Sequence, residues 1–161
     1  MSKTKKIALV GVAAAAAMVL SYVESLVPLP IYGVKIGLAN IVTVFLMYKL
    51  NSVTALGVSM VRVLLTALLF GSVMSLWYSL AGALFSFGVM ALMKKIDAFS
   101  TVGVSIAGGV AHNMAQIAVA VLITGVGAIV YYLPTLIVGG IAAGIVVGIA
   151  GSITVKRVKI K

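Results

Sequence analysis

The sequence contains no cysteine, which excludes disulfides and thiolate metal sites outright. It holds only two carboxylates, Glu24 and Asp97, and one histidine, His112. So small a stock of ligands argues against a metal held by protein side chains alone. No Ser–His–Asp order stands out, and the only aspartate sits in a connection. There is no Gly-x-x-x-x-Gly-Lys-[ST] phosphate loop, so any ATP hydrolysis would belong to another protein. Charged residues make up 9% of the chain, against about 25% in a globular domain. That shortage excludes an ordinary solvated surface.

What the chain does hold is apolar length. Hydrophobic residues reach 63%, and the mean hydropathy is +1.30. Crossing the hydrocarbon core takes about 20 apolar residues, so 161 residues accommodate six crossings with short connections. The runs lie at approximately 7–27, 36–50, 53–70, 73–93, 102–124 and 129–155. They predict an all-α integral membrane protein, one six-helix domain over residues 1–161. Pro28 and Pro30 remove backbone donors and stop the first helix. Lys49 and Asn51 divide the second run from the third, and Gly71-Ser72 makes a tight hairpin between the third and fourth. Lys94, Lys95 and Asp97 close the fourth. Gly125 to Pro134, with Tyr131 and Tyr132, suits an interfacial turn in an aromatic belt. The basic start resembles a signal peptide, but its apolar run is too long, which makes it a retained first helix.

Ten of the twelve cations fall at the ends of these runs. With six crossings and cytoplasmic termini, Lys3, Lys5, Lys6, Lys49, Lys94, Lys95, Lys156, Arg157, Lys159 and Lys161 all lie inside. The bias of lysine and arginine towards that side sets the orientation. A five-helix reading, merging the third and fourth runs, would put the basic tail outside and is rejected. The net charge of +10 is therefore a marker of topology, and no nucleic-acid partner is expected. The expected location is the bacterial cytoplasmic membrane, with the lipid bilayer as the surrounding partner.

Small residues mark faces where membrane helices approach closely. Gly140, Gly144 and Gly148 recur every fourth residue in the sixth run, while Ser72, Ser75, Ser79, Gly82 and Ser86 line one face of the fourth. Both stripes are read as packing within the chain. Ala13 to Ala17, near the cytoplasmic end of the first helix, are read differently, as a flat surface for a partner subunit.

Ionisable side chains inside a span cost about 2.5–3.5 kcal/mol on insertion scales and face protein or water. Arg62 lies near the middle of the third helix, with Ser59 and Thr66 on its face. Glu24 is in the last turn of the first helix, and Lys35 and Asn40 stand at the start of the second. Two arrangements remain open: a Glu24–Arg62 pair that orders the bundle, or an outward-facing cationic cavity. In the second, Arg62 would fork donors onto a phosphate or carboxylate. His112, Asn113 and Gln116 cluster in the fifth helix, either as interhelical hydrogen bonds or as further cavity lining.

Two stretches carry a resemblance: Val34-Lys35-Ile36-Gly37-Leu38-Ala39-Asn40-Ile41, and Gly108-Gly109-Val110-Ala111-His112-Asn113-Met114-Ala115-Gln116. Together they resemble the Gx transporter family, often labelled heptaprenyl diphosphate synthase component I. That family is similar in size and helix count to the S components of energy-coupling-factor (ECF) transporters. The resemblance implies capture of a small molecule from outside, with the first outer loop closing the site. It also implies docking through an Ala-x-x-x-Ala patch, matched by Ala13 and Ala17, to a coupling membrane subunit driven by two ATPases. On this resemblance Lys35 and Asn40 lie beside the gating loop, and Arg62, His112, Asn113 and Gln116 line the cavity, with Glu24 near them.

The synthase label meets a chemical objection. Prenyl diphosphate synthases resemble one another in paired aspartate-rich motifs that hold Mg²⁺, and such ions need several oxygen ligands. Two acidic residues on opposite sides of a membrane do not supply them, so the chain is expected not to be an enzyme and to hold no cofactor of its own. The leading expectation is an S component-like subunit for an anionic or amphipathic isoprenoid, quinone- or flavin-related compound. The alternatives are an accessory subunit of prenyl or quinone synthesis, and a scaffold for a flavin or quinone electron-transfer assembly.

Overall fold

The computed structural model describes residues 2–26, 37–96 and 98–159. They form a helical bundle: α1 (Lys3–Ser25), α2 (Asn40–Lys49), α3 (Ser52–Phe70), α4 (Val73–Ile96), α5 (Thr101–Thr124) and α6 (Leu133–Arg157), with a 3₁₀ turn at Gly127–Tyr132 before α6. Polar side chains start several of these helices. The Ser2 hydroxyl accepts from Lys5 N–H, Asn51 Oδ1 from Thr54 N–H at 2.7 Å, and the Ser100 hydroxyl from Gly103 N–H. Each satisfies an amide that the first helical turn leaves without a partner. α1 therefore begins at its lysines, four residues before the expected apolar start.

Among the described residues five helices are long and apolar enough to cross a membrane: α1, α3, α4, α5 and α6 with its preceding turn. α2 is not. Its ten residues rise about 15 Å, half of a hydrocarbon core about 30 Å thick. All six expected helices are present, and the second, whose 15-residue run is the shortest of the six, is a half-length helix among the described residues. The expected start of that helix, Ile36, lies outside the described residues. Val42 to Met47 are buried without interruption, so α2 is enclosed on all sides by its neighbours. A helix that meets no lipid shows no apolar stripe, and its sequence run is indistinguishable from a short span.

The outer surface is the reverse of a soluble protein's. Val53, Leu68 and Leu122 are about four-fifths exposed, and comparable side chains ring the other long helices. Exposed apolar surface on this scale requires lipid around it. Tyr131 and Tyr132 are also exposed, in the 3₁₀ turn where an aromatic belt was expected.

Two kinds of contact hold the bundle. α5 and α6 run antiparallel with their backbones touching. A methyl group at Gly140 would lie 2.8 Å from the Gly109 carbonyl oxygen. At Gly144 it would lie 2.9 Å from the Ser105 carbonyl oxygen, and at Gly148 2.7 Å from Val102 Cα. The glycine stripe of α6 thus packs inside the chain, as expected. α2 is held at its far end by Lys94 of α4, whose ammonium donates to the Met47 carbonyl and sits 5.0 Å over the Tyr48 ring.

Ala13 and Ala17, expected on a docking face, are 6% and 2% exposed and belong to the core that includes α2 and α3. Small side chains let a helix approach a neighbour closely whether that neighbour is another subunit or the same chain. Within this chain the pair packs against its own neighbours.

Candidate functional site

The half-length of α2 fixes where the polar groups meet. Its last residue, Lys49, is at the basic end of the bundle, so its first turn lies roughly halfway across. That turn tightens through Asn40 N–H to the Gly37 carbonyl at 2.8 Å and Ile41 N–H to the Leu38 carbonyl at 3.1 Å. Gly37 enters it with φ of +73°, a left-handed conformation that favours glycine. The amides of Gly37 and Leu38 consequently point away from the helix, with no backbone acceptor among the described residues. Both donate to Glu24 of α1, at 2.6 Å to Oε1 and 3.1 Å to Oε2. A carboxylate at a helix N-terminus is favoured by the partial positive charge there.

Arg62 approaches the same turn from α3. Its Nη2 donates to Asn40 Oδ1 at 3.3 Å, while its Nε is buried without a hydrogen-bond partner among the described residues. Glu24 acts on the guanidinium as a nearby opposite charge. Yet both carboxylate oxygens are engaged by amides, so α2 mediates between the two charges. Buried donors normally have partners, and one without marks strain, function or an absent ligand.

These groups open on one internal cavity of about 70 Å³. Glu24, Gly37, Asn40 and Arg62 line one end. Ser79 and Ser86 of α4 and Ser105, Gly108, His112 and Asn113 of α5 continue it, and the glycines of α6 close the far wall. The His112 ring packs against α4 at Gly82, where a methyl group would meet three ring atoms at 2.7–2.9 Å.

The structure therefore brings Glu24, Asn40, Arg62, His112 and Asn113 to one cavity. Asn113 is engaged structurally as well, since its Nδ2 donates to the Leu136 carbonyl of α6 at 2.6 Å. Gln116 is half-buried one turn further along α5 and is not part of the cavity lining. Lys35 lies outside the described residues.

Ser79, Ser86 and Ser105 are lining residues that the sequence reading did not assign. Ser79 and Ser86 belong to the stripe read as packing. Ser105 precedes Gly108 and His112 by three and seven residues, which places all three on one face of α5. Among the described residues no three His, Asp or Glu side chains gather as a metal site. The cavity presents the Arg62 guanidinium, the Asn40 amide, hydroxyls, an imidazole and the Glu24 carboxylate held by two backbone amides, walled by apolar helices.

Comparison with curated proteins and comparison with solved structures return no match. The family model described as heptaprenyl diphosphate synthase component I matches residues 13–154, a span that contains all six helices in whole or in large part. On that match the chain belongs to the heptaprenyl diphosphate synthase component I family.

Proposed function

We propose that the protein is a ligand-binding membrane subunit, similar to the S components of ECF transporters. It captures a small anionic or amphipathic compound of isoprenoid, quinone or flavin type from the outer side. Both termini lie in the cytoplasm, and ATP is used by partner ATPases through a coupling membrane subunit. The observation that carries this reading is Arg62, a half-buried cation lining the cavity, whose buried Nε has no hydrogen-bond partner among the described residues. An arginine so placed costs free energy unless something uses it. A protein that only scaffolds others has no need of it.

The chain is not a catalyst in this reading. Its two carboxylates supply too few oxygens for the Mg²⁺ ions that prenyl transfer requires. The family description favours a second reading, that of a non-catalytic partner to a prenyl synthase.

Two measurements test these proposals. Arg62→Gln should weaken binding of geranyl diphosphate to the detergent-solubilised protein by at least about tenfold, the order of one lost charge-assisted contact. Unchanged affinity would remove Arg62 from the site. Purification from native membranes in mild detergent separates the partner readings. A coupling subunit with two ATPases favours uptake, and a prenyl synthase without ATPases favours the accessory role.

A further inference from the structure

The amides of Gly37 and Leu38, in the turn that leads into α2, are occupied by a side chain of the same protein, and Gly37 lines the cavity. Gly37 and Leu38 donate to the two oxygens of Glu24 at 2.6 and 3.1 Å. A phosphate or carboxylate group of a ligand would take the same two-oxygen, two-amide arrangement, because helix N-termini bind anions through their free N–H groups. Arg62 stands beside this turn through Asn40 and lines the same cavity, with its Nε buried and without a partner among the described residues.

We propose that the Gly37 and Leu38 amides and Arg62 form a subsite for an anionic head group, and that Glu24 is its resident occupant, displaced when the ligand enters. The proposal rests on the anionic-ligand reading above and adds how the head group is held and what it must remove.

Charge supports it. Glu24 and Arg62 balance one another, so an anion entering while Glu24 stays would set two negative groups against one cation. Within a low-dielectric bundle that repulsion is strong. Space supports it too. With Glu24 in place the cavity measures about 70 Å³, room for a few water molecules at about 10–15 Å³ each. Glu24 and Gly37 both line it, so withdrawal of the carboxylate enlarges the cavity where the amides become free.

The test is calorimetric titration of the solubilised protein with geranyl diphosphate and with geranic acid, which separate phosphate from carboxylate heads. Geraniol serves as the neutral control, and thermal unfolding verifies each variant. Glu24→Gln should bind the anionic probe about tenfold more tightly than the unaltered protein, having lost a charged competitor for the amides. Glu24→Asp is the sharper variant and serves alone if the glutamine form does not fold. It keeps the charge but is one methylene too short to bridge both amides, so it should also bind more tightly.

Tighter binding by Glu24→Asp, with geraniol indifferent to the change, supports displacement. If the aspartate variant binds as the unaltered protein does, Glu24 acts only through its charge and the amide subsite is wrong. Weaker binding by both variants makes Glu24 a fixed cap of α2 and overturns the proposal, while ligand binding itself stands. If neither anionic probe binds any form, the anionic-ligand reading falls and takes the subsite with it.

Discussion

Gly82 has no side chain where the His112 ring needs space. A methyl group there would sit 2.7 Å from Cε1, 2.8 Å from Nε2 and 2.9 Å from Nδ1, closer than real contacts allow. Gly82→Ala should therefore turn the ring away from its position on the cavity. Overpacking of this kind costs about 1–3 kcal/mol, and the displaced imidazole should lower affinity for an anionic ligand severalfold. Gly88, on the same helix six residues on, has nothing within 4 Å of an added methyl. Gly88→Ala should leave binding unchanged and raise stability by about 0.5–1 kcal/mol through lost chain entropy. Titration and thermal unfolding of the pair decide the matter: equal binding by both variants would mean that the ring position is irrelevant to the site.

At the scale of helices, glycine spacing sets how closely α5 and α6 approach. Gly144 meets Ser105 and Ile106 through backbone atoms, which cannot swing aside as a flexible side chain can. Gly144→Val should force the two helices apart, cost about 1–3 kcal/mol, and widen the cavity wall that Gly144 helps to form. An unchanged melting temperature in detergent would show that α6 does not rest on this contact. Lys94→Met tests the other fixture, because methionine keeps an apolar stem while losing the donor to the Met47 carbonyl. The loss of a charge-assisted hydrogen bond, discounted for partial exposure, should be about 1 kcal/mol.

The long helices were legible because lipid imposes a continuous apolar run about 20 residues long. α2 was only half legible. Its run has the same composition as a short span, and nothing in Val42 to Met47 says whether protein or lipid surrounds them. Ala13 and Ala17 were legible only as a surface of close approach, since a small residue permits close approach without naming what approaches. Glu24, Arg62 and His112 stood out because ionisable groups in a membrane are rare and costly. The serines of the cavity did not stand out. A hydroxyl in a membrane helix can bond back to its own backbone, as Thr154 does to the Ala150 carbonyl at 2.7 Å, so a serine alone carries little information. The engagement of Glu24 by Gly37 and Leu38 was out of reach, because it joins residues 13 and 14 positions apart through backbone amides.

For the molecule as a whole, function depends on which end of the bundle faces the cytoplasm. A site that captures from outside must have its Glu24 end towards the outer surface, with the ten terminal cations of the spans on the inner side. The basic ends of α4 and α6, Lys94–Lys95 and Lys156–Arg157, also complement the negative ends of those helices. The lysine and arginine bias alone bears on orientation, because the helix dipole is the same whichever side its end faces. The chain contains no cysteine, so a single introduced thiol is an unambiguous reporter. Tyr131, 88% exposed in the turn before α6, and Ala98, exposed in the connection between α4 and α5, lie at opposite ends. In intact cells an impermeant maleimide should label Tyr131→Cys, and it should reach Ala98→Cys only after the membrane is opened. The reverse pattern would place the Glu24 end in the cytoplasm, and the cavity would then load from inside. Uptake would be excluded, and a role in presenting a cytoplasmic anion to a membrane-bound synthase would take its place.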